Sequence, residues 1–319
     1  MPENQIQNTP SNNRASSEAQ AIEAVIDAVG QKILDKKESI KTVIAALIAG
    51  GHVLLEDLPG LGKTTLATAI SQVFDMDFKR IQLTSDMMPS DVLGVSIYDA
   101  TTQTFSYHKG PIFTQFLLAD ELNRATPKTQ SALLEAMAEN QVSIDGRTYA
   151  LDEVFFVMAT QNPIDEAGTY ALPQSQLDRF LVSLSLGYPE QQSERELYGA
   201  PYLNTFKQPI EALSSPDQLL KWQHAARQVH ASEEVLDYLQ LLIHKTRIHG
   251  EIHHGLSPRA GLSMFRLAQS FAYMANRDFI TPADIQHAFY PVCRHRLMML
   301  DGRHARELIH TILDDTAVI

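Results

Sequence analysis

The sequence is short of cysteine and of long hydrophobic runs, and each shortage excludes a class of protein. Cys293 is the only cysteine among 319 residues, so neither an intrachain disulfide nor a multi-cysteine zinc site can form. No apolar run approaches the roughly 18 residues needed to cross a bilayer. The first 20 residues also lack the apolar centre of a secretory signal. We therefore expect a cytoplasmic protein with no direct membrane insertion.

Positive charge is scarce as well. The 26 Lys and Arg residues are outnumbered by 38 Asp and Glu, and the formal net charge is −12 with neutral histidine. A general binder of the nucleic-acid backbone needs clustered positive charge. We therefore expect no nucleic-acid partner, although a few well-placed cations can still bind a small anion.

The hydrophobic pattern predicts three regions. Residues 1–20 are mostly polar and predict a disordered tail. Residues 21–189 predict an α/β core, because short continuous apolar runs alternate with helical segments, as in a parallel sheet covered by helices on both faces. Residues 190–319 predict an all-α domain of four or five helices. Its helices are predicted to start where an N-cap residue precedes a proline, at Ser215-Pro216, Ser257-Pro258 and Thr281-Pro282.

Two hairpins interrupt the alternation of strands and helices. One is predicted at residues 95–107 and the other at residues 141–151, where Asp145-Gly146 suits a two-residue type I′ turn. The sheet needs neither of them, so both are candidates for protruding functional elements.

A glycine-rich loop follows the first predicted strand and opens a helix. It runs Asp57-Leu58-Pro59-Gly60-Leu61-Gly62-Lys63-Thr64-Thr65. In such a loop the backbone N–H groups and the helix N-terminus bind phosphate, the lysine reaches the β- and γ-phosphates, and the first threonine hydroxyl can bind Mg²⁺. The strict pattern has glycine where this chain has Asp57. The alternative is a glycine-rich turn with an incidental lysine.

Polar residues follow two later strands of the predicted sheet. Asp120 and Glu121 end an apolar strand, where Asp120 would hold Mg²⁺ and Glu121 would orient or deprotonate the attacking water. Asn162 follows the next core strand and could contact the γ-phosphate or the water. The alternatives are a solvated strand end for the acids and an Asn-Pro turn for Asn162.

This ordered set resembles the MoxR family of AAA+ ATPases from about Ala21 onward. The most specific stretches are LLEDLPGLGKTTLA, IQLTSDMMPSDVLG, GPIFTQFLLADELNRATPKTQSALLEAMAE and ATQNPIDEAGTYALPQSQLDRF. The resemblance implies an AAA+ P-loop NTPase core with a parallel sheet between helices, followed by a small all-α lid domain.

The resemblance also implies roles for individual residues. Lys63 and Thr64 match the Walker A lysine and hydroxyl, and Asp120 and Glu121 match the Walker B pair. Asn162 matches the sensor 1 residue, Arg179 the arginine finger that acts on a neighbouring subunit, and Arg259 the sensor 2 arginine. Gly30 and Gln31 resemble the segment near the adenine. Pro59, Gly60, Leu61, Gly62 and Thr65 complete the implied nucleotide contacts.

The function implied is hydrolysis of ATP with Mg²⁺ in a ring, by resemblance a hexamer, that remodels or matures protein clients. The clients implied include proteins with von Willebrand factor A domains. Two alternatives remain open. One is a nucleic-acid-associated AAA+ motor, which the acidic charge balance disfavours, and the other is a scaffold that binds nucleotide without turnover.

Overall fold

The structure is a computed structural model that describes residues 10–162, 168–199, 208–301 and 305–318, with side chains described from residue 17 onward. Strands and helices alternate through the first part of the chain, and helices alone fill the second. The elements are α1 (Pro10–Gly30), α2 (Lys37–Ile48), β1 (His52–Glu56), α3 (Lys63–Val73), β2 (Phe78–Gln82), α4 (Pro89–Leu93), β3 (Gly94–Asp99), β4 (Thr104–Lys109), β5 (Phe116–Asp120), α5 (Pro127–Glu139), β6 (Gln141–Ile144), β7 (Arg147–Ala150), β8 (Phe156–Gln161), α6 (Gln174–Leu177), β9 (Phe180–Leu184), α7 (Gln191–Leu197), α8 (Pro216–Ala226), α9 (Glu233–Ile248), α10 (Pro258–Met274), α11 (Pro282–Cys293) and α12 (Arg306–Asp314).

A five-stranded parallel sheet forms the centre of the core. Its strand order is β2-β5-β8-β1-β9, so the strands that end in the phosphate loop, the acidic pair and Asn162 are neighbours. Every residue of β5 and β8 is buried, because helices cover both faces of the sheet. The predicted α/β fold with a helical lid is confirmed.

Both predicted hairpins are present as separate two-stranded sheets, β3-β4 and β6-β7. In the second, Asp145 and Gly146 have φ values of 52° and 74°. Positive φ at both central residues is what a type I′ turn requires, so the Asp-Gly signal located this turn correctly.

The lid helices α8, α10 and α11 begin at the predicted caps. The Ser215 hydroxyl accepts a hydrogen bond from the Gln218 N–H, and the Ser257 hydroxyl accepts one from the Ala260 N–H. Thr281 forms a capping box with Asp284. Each cap satisfies backbone donors that the first helical turn leaves without partners.

The predicted tail needs a correction. Helix α1 starts at Pro10, so residues 10–20 are helical rather than disordered, and residues 1–9 lie outside the described residues. Val25 and Val29 on α1 are buried in the core, and the Tyr273 hydroxyl donates a hydrogen bond to Glu18 at 2.7 Å. Composition alone missed the contact of Glu18, because its partner Tyr273 lies on helix α10, 255 residues later in the chain.

Among the described residues, no helix combines the length and the apolar character that a membrane-spanning segment needs.

Candidate functional site

The phosphate loop joins β1 to α3 in a conformation that requires its glycines. Gly60 and Gly62 have φ values of 86° and 88°, in the left-handed region that side chains disfavour. Gly62 is also the N-cap of α3 and provides no side-chain cap. The first N–H groups of α3 are therefore available for an anion at the positive end of the helix.

Lys63 is buried at the start of α3 and points into the site. Its Nζ donates a hydrogen bond to the Asp57 carbonyl at 2.7 Å and lies 3.5 Å from Asn162 Oδ1. These contacts hold the ammonium between the phosphate loop and the end of β8, which is where the phosphates of a nucleotide on this loop would lie.

Asp120 lies at the end of β5 with both carboxylate oxygens engaged. The Thr160 hydroxyl donates to Oδ1 at 2.5 Å, and Arg80 Nη2 lies 2.7 Å from Oδ2. Thr160 also accepts a hydrogen bond from the Glu121 N–H at 2.8 Å. One buried hydroxyl on β8 therefore fixes both members of the acidic pair.

Glu121 adopts the left-handed conformation, with φ at 55°. Its carboxylate lies 3.0 Å from Arg124 Nε and 3.5 Å from Asn162 Nδ2. The Asn162 carbonyl in turn accepts a hydrogen bond from Asn123 Nδ2 at 3.1 Å. A backbone strained in this way is common at functional sites, and here it turns Glu121 toward Asn162.

A cavity of about 360 Å³ collects these groups. It is lined by Lys63, Thr64, Asp120, Glu121 and Asn162 together with glycines of the loop. An adjoining cavity of about 470 Å³ is lined by Pro59, Leu61 and Thr65 and by segments 32–36 and 187–198. The two cavities share Gly60 and Gly62, so together they can take a phosphate chain and the group attached to it.

Three predicted contact residues lie outside these linings. In place of Gly30 and Gln31, the larger cavity is lined by Lys32, Ile33 and Leu34, which directly follow them. Arg259 lies exposed in the first turn of α10 and lines neither cavity. Its predicted contact with the nucleotide stays a prediction.

Arg179 also lies away from the cavity, at the opposite edge of the sheet. It precedes the first residue of β9, which runs parallel to β1, whereas the phosphate loop follows the last residue of β1. Five strand residues separate the two edges by about 17 Å. Arg179 donates a hydrogen bond to the Leu134 carbonyl at 2.5 Å.

Asp178, which precedes Arg179 in the chain, pairs with the buried Arg296, whose Nε lies 2.7 Å from Asp178 Oδ1. The Ser257 hydroxyl, two residues before Arg259, lies 3.3 Å from Asp178 Oδ2. Arg179 and Arg259 therefore occupy the same side of the molecule.

Asp57, the departure from the glycine pattern, has a defined structural role. Its buried carboxylate accepts hydrogen bonds from Ser185 Oγ at 2.5 Å, from the Leu186 N–H at 2.6 Å and from the Gly187 N–H at 3.2 Å. It ties the phosphate loop to the segment that follows β9 and borders the larger cavity.

Sequence reasoning missed Arg80, Gln82 and Thr160. Arg80 and Gln82 alternate along β2, and Gln82 is in register with Asp120. On the other side of β5, Ala119 is in register with Ala159, which places Thr160 beside Asp120. A polar residue at the end of each neighbouring strand was the available signal, and it needed the strand order to be interpreted.

The residues present fit a magnesium nucleotide. The Thr64 hydroxyl and the Asp120 carboxylate are hard oxygen ligands of the kind that Mg²⁺ prefers, and they line one cavity. The buried Lys63 ammonium and the uncapped helix start supply positive charge for phosphate. The fold and this arrangement define a phosphate-loop ATPase of the AAA+ class.

Comparison with known proteins identifies the family to which the chain belongs within the AAA+ class. Residues 52–182 match the ATPase family associated with various cellular activities (AAA), and residues 244–314 match the AAA lid domain. The chain is 41% identical over 301 residues to the uncharacterized protein YeaC of Bacillus subtilis, covering 92% of this chain and 93% of that one. It is 38% identical over 302 residues to chaperone MoxR1 of Mycobacterium tuberculosis, covering 92% and 80%.

A solved structure agrees with these relatives. It is a proposed ATPase from Cytophaga hutchinsonii with a TM-score of 0.88 and 36% identity, and the match covers 97% of this chain and 98% of that one. The chain belongs to the MoxR family of AAA+ ATPases.

Proposed function

We propose that the protein hydrolyses ATP to ADP and phosphate with Mg²⁺. Lys63 binds the β- and γ-phosphates, and the Thr64 hydroxyl and Asp120 hold the metal ion, Asp120 largely through water. Glu121 accepts the proton of the attacking water, and Asn162 positions that water beside the γ-phosphate. Bound Mg²⁺ supplies neutralisation of the phosphate charge.

The observation that carries this proposal is the contact of Asn162 with two groups. Its side chain lies 3.5 Å from both Lys63 Nζ and Glu121 Oε1. A phosphate-binding cation and a carboxylate that can act as a base therefore flank one amide, which supports Asn162 as the residue that positions the attacking water. A scaffold that only bound nucleotide would have no need of Glu121 in this position.

The variant Glu121→Gln tests turnover. It removes the base and keeps the size and the hydrogen-bonding capacity of the side chain. We expect kcat to fall by about 10²–10⁴, the usual worth of a general base, with ATP affinity unchanged within about threefold. Lys63→Ala is the matched variant and should lose ATP binding itself. Equal hydrolysis by wild type and Glu121→Gln would refute the role of Glu121.

We also propose a ring, hexameric by family resemblance, in which Arg179 and Arg259 act on the neighbour's nucleotide. The support is their position at the sheet edge opposite to this chain's own cavity. Head-to-tail contacts that close generate such rings. A guanidinium supplied by a neighbour can accelerate phosphoryl transfer by about 10³–10⁵.

Mixing two inactive variants tests the shared site. Lys63→Ala subunits still present Arg179, and Arg179→Ala subunits still bind nucleotide. In rings assembled from equal amounts of the two variants, about a quarter of the interfaces should be active. An active interface needs an Arg179→Ala subunit that binds the nucleotide and a Lys63→Ala neighbour that supplies Arg179.

The control mixes Lys63→Ala with Glu121→Gln. Both substitutions affect the same cavity, so this mixture should regain nothing. Failure of the first mixture to exceed the second would place Arg179 outside the active site.

We further propose that ATP turnover drives chaperone-like remodelling or maturation of protein clients in the cytoplasm, with von Willebrand factor A-domain proteins as candidate clients. The name of the related chaperone MoxR1 and the acidic charge balance support protein clients over nucleic acid. ATP-loaded Glu121→Gln rings isolated from cells should retain a protein client that the Lys63→Ala variant releases, and mass spectrometry would identify it. Recovery of nucleic acid without any protein would favour the motor alternative.

A further inference from the structure

Arg80 holds the carboxylate that would bind the metal ion. It extends from β2 into the phosphate cavity, and its Nη2 lies 2.7 Å from Asp120 Oδ2 and 3.3 Å from Gln82 Oε1. The side chain is 48% exposed, so its guanidinium can change partners at a lower cost than a buried one. Arg80 therefore places an exchangeable positive charge on the carboxylate that would hold the metal ion.

The two oxygens of Asp120 have different partners. Oδ1 accepts a short hydrogen bond from Thr160, a fully buried residue of β8, and this bond belongs to the fixed core. Oδ2 is paired with Arg80, a long side chain at the cavity wall. Oδ2 is thus the oxygen that can be released without disturbing buried structure.

We infer that Arg80 competes with Mg²⁺ and its bound water for Oδ2 of Asp120, which makes Arg80 a positioning residue for the metal nucleotide. The inference rests on the proposed binding of Mg²⁺ and ATP. The guanidinium already occupies Oδ2, and its charge repels a divalent cation that approaches the same carboxylate. Without metal, Arg80 neutralises Asp120; when Mg²⁺ binds, Arg80 would give up Oδ2 and turn its charge to the triphosphate.

The exchange predicts two effects of opposite sign. Without metal, Arg80 offsets the charge of Asp120 in a cavity that must accept several negative charges, so it strengthens binding of free ATP. With metal, Arg80 must first be displaced, so it raises the Mg²⁺ concentration needed for half-saturation. A residue with a merely structural role would not shift these two quantities in this combination.

Calorimetry of wild type and Arg80→Gln with β,γ-imido-ATP tests both effects, once in EDTA and once across a Mg²⁺ titration. Arg80→Gln should weaken metal-free binding by about fivefold and lower the half-saturating Mg²⁺ by about fivefold, as expected for a partly exposed ion pair. Arg80→Lys keeps the charge and should remain within about twofold of wild type.

Arg124→Gln is the matched control. It removes the same charge at similar exposure, 46%, but from a pair with Glu121 instead of Asp120. It should leave the half-saturating Mg²⁺ within about twofold of wild type.

Equal shifts in Arg80→Gln and Arg124→Gln would show a general charge effect and overturn the inference. So would an unchanged Mg²⁺ requirement in a folded Arg80→Gln protein, with folding checked by circular dichroism. Absence of nucleotide binding in wild type would instead refute the proposed function.

Discussion

Replacing Asp57 by glycine would restore the usual phosphate-loop pattern and should nevertheless damage this protein. The carboxylate accepts hydrogen bonds from Ser185 Oγ and from the N–H groups of Leu186 and Gly187, all at a buried position. Glycine leaves those donors without their acceptor, and it adds backbone freedom to the unfolded chain.

The magnitude follows from those contacts. A hydrogen bond to a charged group contributes about 1.5–3 kcal/mol, and bonds that share one carboxylate are not additive. We therefore expect Asp57→Gly to lower the free energy of unfolding by about 3–5 kcal/mol. ATP affinity should fall as well, because the Asp57 carbonyl that holds Lys63 at 2.7 Å loses its anchor.

Urea denaturation monitored by circular dichroism measures the stability, and calorimetry measures the ATP affinity. Asp145→Gly is the control, since Asp145 lies exposed in the β6-β7 turn with φ at 52°, where glycine is tolerated. Its free energy of unfolding should stay within about 0.5 kcal/mol of wild type. If Asp57→Gly matched wild type in both measurements, the reasoning about this carboxylate would be wrong.

Two further predictions concern Thr160, beside the site, and His52, at the opposite end of β1. Thr160→Val removes the hydroxyl that orients Asp120, so kcat should fall about 10–100-fold. A thermal melt should show that the variant is folded. An unchanged kcat would refute the positioning role of Thr160. Burial lowers the pKa of His52 to about 4, so the folded state binds fewer protons than the unfolded state and stability is lost as pH falls from about 6.5 to about 4. The loss should reach up to about 3 kcal/mol, and urea midpoints of His52→Gln should depend less on pH across this window than those of wild type.

The fold and the centre of the site could be predicted because their signals are local. The phosphate loop, the acid pair and the Asp-Gly turn each occupy a few consecutive residues. Parallel strands bring their carboxyl ends to one edge, which is why Lys63, Asp120 and Asn162 meet where the sequence expected them.

The rest depends on contacts between distant parts of the chain. Asp57 meets Leu186 across 129 residues, and Arg80 meets Asp120 across 40. The motif around Arg259 predicts a nucleotide contact, but the packing of the lid decides at which edge of the sheet Arg259 lies. No periodicity or spacing encodes those choices, because each is the sum of many tertiary contacts.

Although the chain is acidic overall, the cationic side chains discussed above lie in two separate groups. Lys63, Arg80 and Arg124 lie at the edge of the sheet where β1 and β5 end. Arg179 and Arg259 lie at the other edge, beside the segment that Arg296 holds through Asp178. A strand of five residues keeps the two groups about 17 Å apart. In the proposed ring, one subunit would bind the nucleotide through the first group, and the neighbouring subunit would add Arg179 and Arg259 where the two edges meet.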